Sequence, residues 1–325
     1  MPLHDGGEHE LIERYFRHLG AVRTDVVLGI GDDAALLRAG ADMELAQTTD
    51  SLVADVHFHA GAPARSLGHR ALAVNLSDLA AMGAAPAWAL LSLTMPAVDE
   101  GWLTEFAAGF GLLARRHEVA LVGGNLSRGP LNITVQLTGM VPSGTALRRS
   151  GARAGDHVWV SGTLGDAAAG RACSADASGP AGELERGALR ARFEYPTPRV
   201  ALGAALRGVA SSCLDLSDGL LADLPRLAGA SGCGAVVETD RLPLSPALRA
   251  IAPGAAWQYA LRGGEDYELC FTAAPGQAAR LQQIAADLEL PLGRCGELRA
   301  AAGLELRAGG SVIQFSQSGF DHFKD

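Results

Sequence analysis

Residues 66–82 read SLGHRALAVNLSDLAAM, and residues 83–95 continue GAAPAWALLSLTM. The first stretch is apolar around almost its whole circumference, which predicts a long, mostly buried helix. Asp78 lies inside it, and a carboxylate in such a helix must be paired or cation-bound if it is buried. The second stretch opens on small residues and becomes an apolar run of strand length. A buried helix feeding a buried strand is the unit of a layered α/β or α+β fold.

Outward from this unit, mixed elements continue in both directions. Residues 8–19 carry apolar side chains at helical spacing. Residues 25–30 and 44–49 read as strands, 99–117 as a helix, and 120–123 and 131–139 as strands around the GGNLSRG loop at 123–129. The Gly/Arg-rich stretch 142–155 joins two halves, so the expected domains are 1–145 and 146–325. In the second half, strands are expected at 158–161, 214–216, 235–238 and 268–272, with a helix over 219–229. Residues 173–189 hold few large apolar side chains and read as a mobile surface excursion. The fold class is therefore α/β (α+β), in two domains, as a length of 325 residues also favours.

Five short acidic motifs punctuate these elements: Gly31-Asp32-Asp33, Thr48-Thr49-Asp50, Asn75-Leu76-Ser77-Asp78, Asp215-Leu216-Ser217-Asp218 and Gly263-Gly264-Glu265-Asp266. Singly, each has a bland reading. The first is also a turn with a helix cap, and the fourth a sharp turn. Together, carboxylates set beside Gly, Ser and Thr are a hard oxygen donor set of the kind Mg²⁺ takes with substrate phosphates. His57 and His59 flank Phe58; two imidazoles suit Mg²⁺ poorly, and one histidine meeting a substrate phosphate is the better reading beside a plain surface role. Arg148-Arg149 reads equally as a nucleotide contact or a solvated pair.

Composition removes other classes. A net charge of −9 argues against nucleic-acid binding. There is no 18-residue apolar run and no secretory signal, so neither a membrane span nor export is expected. Five cysteines (173, 213, 233, 270, 295) stand far apart without a CxxC pair, which fits reduced thiols in a cytoplasm. The only lysine is Lys324. A P-loop and a protein kinase each need a lysine on the phosphates, so both are excluded. ATP chemistry here must rest on metals, arginine and backbone N–H groups.

In this order, IGDDAALL, TTDSLV with VHF, ALAVNLSDLAAMGA, GGNLSRGPL, ALRRSGARAGD, CLDLSDGLLADL, RGGEDYELCF and GFDHF resemble the motifs of the bacterial thiamine-monophosphate kinase family, from residue 29 to 323. The resemblance implies a two-domain aminoimidazole-ribonucleotide synthetase-like fold, an N-terminal dimerising domain and a C-terminal α/β domain, in a homodimer. It implies transfer of the γ-phosphoryl group of ATP to thiamine monophosphate with several Mg²⁺ ions.

By position, Asp33, Thr48, Thr49, Asp50, Asp78, Asn125, Asp215 and Asp218 match metal ligands. Gly124, Asn125, Arg149 and Ser217 match the nucleotide contacts, and His57, Glu265 and Phe320 those to thiamine monophosphate. No general base is implied, because the acceptor is already a phosphate, largely dianionic at neutral pH. Direct in-line transfer is expected. One position departs: the family turn reads Gly-Gly-Asp, and here it reads Gly123-Gly124-Asn125. A related synthetase with another acceptor, and a silent nucleotide-binding homologue, are the alternatives.

Overall fold

The computed structural model describes residues 8–59, 61–175 and 182–315. The chain divides into two compact units. The first runs to residue 79 and resumes over 84–144; the second takes 80–83 and everything from 145 onward.

The first unit opens with a short helix α1 (Glu8–Leu11) that passes into a π-helical turn over Ile12–Phe16. The expected continuous helix over 8–19 is therefore broken. Arg17 N–H donates to Ile12 O at 2.9 Å, an i→i+5 bond that apolar spacing does not reveal. A two-stranded hairpin follows, β1 (Val26–Leu28) and β2 (Leu36–Leu37). Next come β3 (Met43–Val53), α2 (Ala64–Ala81), β4 (Ala85–Met95), α3 (Glu100–Arg116), β5 (Ala120–Arg128) and β6 (Asn132–Pro142). The four long strands form one sheet in the order β3-β6-β4-β5, with β3 and β5 at its edges.

One face of this sheet is apolar. On β6, Ile133, Val135 and Leu137 are fully buried, whereas Thr134 and Gln136 between them are not. Helices α2 and α3 touch closely through glycine. A Cβ at Gly109 would lie 1.9 Å from Arg65 O, and one at Gly68 2.1 Å from Phe106 O. The register across the opposite face aligns Gln47, Thr49 and Ser51 with Thr138, Gln136 and Thr134. Leu90 and Ser92 continue this row, and Asn125 pairs with Ser92. This face is mostly polar. The β1–β2 hairpin covers one part of it, where Val26 and Ala35 pack on Trp88 and Val122.

The second unit holds a seven-stranded sheet in the order β13-β12-β9-β11-β7-β10-β8. Its elements are β7 (His157–Ser161), α4 (Asp166–Ala175), α5 (Glu183–Glu194), α6 (Val200–Leu206), β8 (Ser212–Asp215), α7 (Leu220–Ala230), β9 (Gly234–Glu238), α8 (Pro246–Ile251), α9 (Ala256–Arg262), β10 (Leu269–Ala273), α10 (Ala278–Asp287), β11 (Leu292–Arg299), β12 (Leu304–Ala308) and β13 (Ser311–Ile313). One apolar cluster joins Val160, Leu214, Leu224 and Cys270; another joins Trp159, Leu202, Phe271 and Ile284.

The surface excursion expected over 173–189 is largely helix. The chain stays in α4 to residue 175 and re-enters a helix at 183, while 176–181 lie outside the described residues. Small residues of α4, just before this stretch, permit close helix packing. Leu189 is buried with Ala169, and a Cβ at Gly170 would lie 2.1 Å from Leu189 O.

Candidate functional site

The acidic motifs of the first unit fall on both faces of one sheet. Thr48 and Asp50 share a face of β3 by strand alternation, the helix side, with buried Leu52. Thr48 Oγ1 donates to Asp78 Oδ2, so the strand motif and the α2 carboxylate meet directly. Thr49 points the other way, and its hydroxyl donates to Val135 O at 3.2 Å.

Past the end of β3 the chain makes a tight turn, with Asp55 at φ 64° and its N–H donating to Phe58 O at 2.8 Å. His57 is fixed there, its Nδ1 accepting from Val53 N–H at 3.0 Å. With Nδ1 accepting, a neutral ring carries its proton on Nε2.

Asp33 and Asn125 both line an open cavity of about 1090 Å³ on the polar face, with Gly31, Asp32, Gly123 and Gly124. Gly124 is required by packing: a Cβ there would sit 1.9 Å from Leu91 O on the neighbouring strand. The hairpin carrying Gly31–Asp33 is held at its base by Asp25. Asp25 accepts from Trp88 Nε1 at 3.0 Å and from Arg23, and this pairing with Arg23 holds its carboxyl below the usual range.

The structure thus joins Thr48 to Asp78, and Asp33 to Gly124 and Asn125. It does not gather all of them within one chain. Strands β3 and β5 are three strand spacings apart, roughly 14 Å. Among the described residues, no three His, Cys, Asp or Glu side chains cluster tightly enough to hold a metal by themselves. The donors are nonetheless hard oxygens: the Asp50 and Asp78 carboxylates and the Thr48 hydroxyl. Such a set fits Mg²⁺ that arrives on substrate phosphates and keeps few protein ligands, rather than an all-protein cage.

In the second unit, two motifs distant in sequence form one interlocked turn. Glu265 N–H donates to Ser217 O at 2.8 Å, Tyr267 N–H to Leu216 O at 3.0 Å, and Leu216 N–H to Glu268 O at 2.8 Å. Gly264 allows the approach, since a Cβ there would lie 2.2 Å from Ser217 O. Asp215 ends β8, opposite Leu269.

Asp218 Oδ2 accepts from Arg226 Nη1 at 2.6 Å, and Arg226 also reaches Asp223 Oδ1 at 2.8 Å. Asp223 receives the Asp218 N–H at 3.0 Å, and burial pushes its carboxyl up to about 6. Asp266 has a scaffold role. It is buried and accepts from Gly165 N–H at 2.6 Å and Ala167 N–H at 3.2 Å at the start of α4. Burial pushes it up to about 7.

Sequence reading missed the residues behind this turn. Glu268 is 0% exposed. Its carboxylate takes Ser161 Oγ, Arg192 Nη2 at 2.7 Å and Arg199 Nε at 2.6 Å. The signal was present: an acid inside the apolar run YELCF poses the same question as Asp78. Arg149 is exposed, and its carbonyl accepts from Ser231 Oγ at 3.3 Å. Phe320 lies outside the described residues.

With this geometry in view, likeness to known proteins is informative. The N-terminal domain of the AIR synthase related proteins matches residues 31–141, and their C-terminal domain matches 153–309. Thiamine-monophosphate kinase of Salmonella typhimurium is 46% identical over 319 residues, 98% of each chain. The crystal structure of the kinase from Stenotrophomonas maltophilia K279a is 46% identical, covers 90% of this chain and 93% of its own, and superposes with a TM-score of 0.84. AaThiL, solved in complex with AMPPCP and TMP, is 31% identical over 99% of both chains, with a TM-score of 0.78. The chain belongs to the thiamine-monophosphate kinase family, within the AIR synthase related proteins and their two-domain α/β fold.

Proposed function

We infer that this protein transfers the γ-phosphoryl group of ATP to thiamine monophosphate, giving thiamine diphosphate and ADP. The observation that carries the inference is full-length likeness to a relative that binds AMPPCP and TMP together, on a chain retaining the acidic motifs in order. AMPPCP is ATP with a non-hydrolysable β–γ link, so that pair of ligands is donor and acceptor.

A terminal oxygen of the acceptor phosphate attacks the γ-phosphorus as the bond to the β-γ bridging oxygen breaks, and ADP leaves with that electron pair. No proton need be removed from the dianionic acceptor. The obstacle is repulsion between two polyanions, and alignment and neutralisation overcome it. His57 offers an Nε2 proton to the acceptor phosphate. Asp50, Asp78 and Thr48 present oxygens to the metal-bearing side of ATP, and Asp33, Asn125, Asp215 and Asp218 are the further candidates. The backbone of Gly124, with Arg149 and Ser217, is assigned to the nucleotide; Glu265 and Phe320 are assigned to the thiamine moiety. Mg²⁺, when bound with ATP, supplies the neutralising charge that a chain with lysine only at position 324 lacks. Burial of Cys213, Cys270 and Cys295 agrees with a reducing cytoplasm, and no described helix is long and apolar enough to cross a membrane.

The split ligand set supports a homodimer. The first unit's sheet has two edge strands, β3 bearing Asp50 and β5 bearing Asn125, and a polar face that the hairpin covers only in part. A two-fold copy pairing each β5 with the partner subunit's β3 closes eight strands into a barrel and leaves no open edge. The same pairing sets Asn125 beside the Asp50 edge of the other subunit.

Mass-spectrometric identification of the product from ATP, Mg²⁺ and thiamine monophosphate tests the reaction. Thiamine diphosphate with one ADP per turnover supports it. ADP release only with another acceptor supports a related synthetase. Nucleotide binding without turnover supports a silent homologue, the reading that Asn125 favours.

A further inference from the structure

We propose that Arg17 is a positioning residue for the Gly31-Asp32-Asp33 turn and, through that turn, for the metal-nucleotide. This rests on the reading of Asp33 as a ligand. Arg17 follows the π-helical turn and makes two kinds of bond. Its Nε and Nη2 both donate to the Glu13 carboxylate, a fork that fixes the guanidinium plane. Its Nη1 donates to Ile30 O at 2.7 Å, one residue before the turn. The guanidinium then lies directly under Gly31. A Cβ at that glycine would sit 2.8 Å from Nη2 and 3.1 Å from Nη1, and Gly31 has φ 125°. Glycine is required here by conformation, and an added Cβ would push the guanidinium aside.

The hairpin is anchored on Trp88 through Asp25, Val26 and Ala35, and Arg17 is the anchor on the Ile30 side of the turn. The strands flanking it are three and two residues long, and their pairing is interrupted between Val26 and Leu28. A hairpin so small is marginal alone. Asp32 and Asp33 are exposed, and the local bond inside the turn is Asp33 N–H to Asp32 Oδ1 at 2.8 Å. A loop free to sample many shapes would lose entropy each time Asp33 met a cation. A loop already tied to Arg17 has lost it on folding.

Glu13 has a second effect. It occupies the guanidinium face that would otherwise be free to pair with Asp32 or Asp33. The arginine therefore shapes the turn without neutralising the acids that face the cavity.

The test compares Arg17→Met, Arg17→Lys and Gly31→Ala with the parent protein. Binding of Mg²⁺ with a non-hydrolysable ATP analogue is measured by calorimetry, alongside the KM for each substrate and the thermal midpoint. Arg17→Met should weaken metal-nucleotide binding about tenfold, the scale of one hydrogen bond from a charged group. Arg17→Lys keeps the charge but not the fork and should fall near Arg17→Met. Gly31→Ala displaces the guanidinium from the other side and should weaken binding in the same direction. In the two Arg17 variants the KM for thiamine monophosphate and the thermal midpoint should stay near parental values. Unchanged nucleotide binding in Arg17→Met overturns the proposal, as does an equal rise in both KM values, which marks a merely structural role. Nucleotide binding is read without turnover, so a parent protein inactive on thiamine monophosphate refutes the reaction and still leaves Arg17 tested.

Discussion

Two damaged chains should repair one another if the site is shared between subunits. Asp50 is on edge strand β3, facing the helix side; Asn125 is on edge strand β5, facing the polar side. Within one chain the strands are about 14 Å apart, with the sheet between the two side chains, too far for one ion with ligand bonds of about 2 Å. Across a two-fold axis with β5 against the partner subunit's β3, the two strands become neighbours, one strand spacing apart, so both residues lie at one junction.

The perturbation is Asp50→Ala on one chain and Asn125→Arg on another. The first deletes a charged ligand; the second sets a cation where a cation should bind. Both positions are exposed, so neither change should unfold the protein. Each homodimer should be inactive, because both of its junctions are damaged. The hybrid has one junction carrying both changes and one carrying neither. It should therefore turn over at about half the parental rate per dimer and bind about one ATP analogue instead of two. The assay co-expresses the chains with different affinity tags and isolates the hybrid through both. An inactive hybrid, shown to hold one chain of each kind, refutes the shared site. An active parent homodimer would remove its residue from the site altogether.

Other consequences are simpler to measure. Asn125→Asp restores a charged oxygen at the family position and should lower the half-saturating Mg²⁺ concentration in a titration at fixed ATP; superimposable curves would mean that Asn125 is no ligand. Glu268→Gln leaves Arg192 and Arg199 around a buried neutral group and should cost about 3 kcal/mol or more in urea unfolding; a loss under about 1 kcal/mol would show the pair is dispensable. Asp266, raised from 3.8 to about 7 in the folded protein, contributes stability that is complete below pH 3.8 and is lost as pH rises through 7. The thermal midpoint of the parent should thus fall relative to Asp266→Asn between pH 4 and pH 7, and parallel profiles would contradict a buried, proton-holding Asp266.

What the sequence made legible divides along physical lines. Asp78 could be read because the helix around it is largely apolar, so the cost of burying it is visible locally. The α2–β4 unit was legible for the same reason, since its periodicity and composition agree. The π-helical turn was not, because one extra residue in a helix leaves no compositional mark. Helix α5 was hidden by its polar composition: it buries Leu189 alone, and the glycine that admits it, Gly170, lies on α4.

The site divides in the same way. A linear run such as Thr48-Thr49-Asp50 says nothing of alternation, yet alternation sends Thr49 to the opposite face from its neighbours. The interlocking of Asp215–Asp218 with Gly263–Tyr267 is a pairing across about fifty residues, carried by backbone bonds that any side chain could accompany. Glycine is the least decisive signal of all. Gly264 and Gly124 both lie in motifs read as ligand-approaching, and both are required by a backbone oxygen of the protein itself, Ser217 O and Leu91 O. A glycine beside an acid therefore reports close approach without saying of what. The acid reports an unmet charge, and the separation of Asp50 on one edge strand from Asn125 on the other is what the two-chain experiment tests.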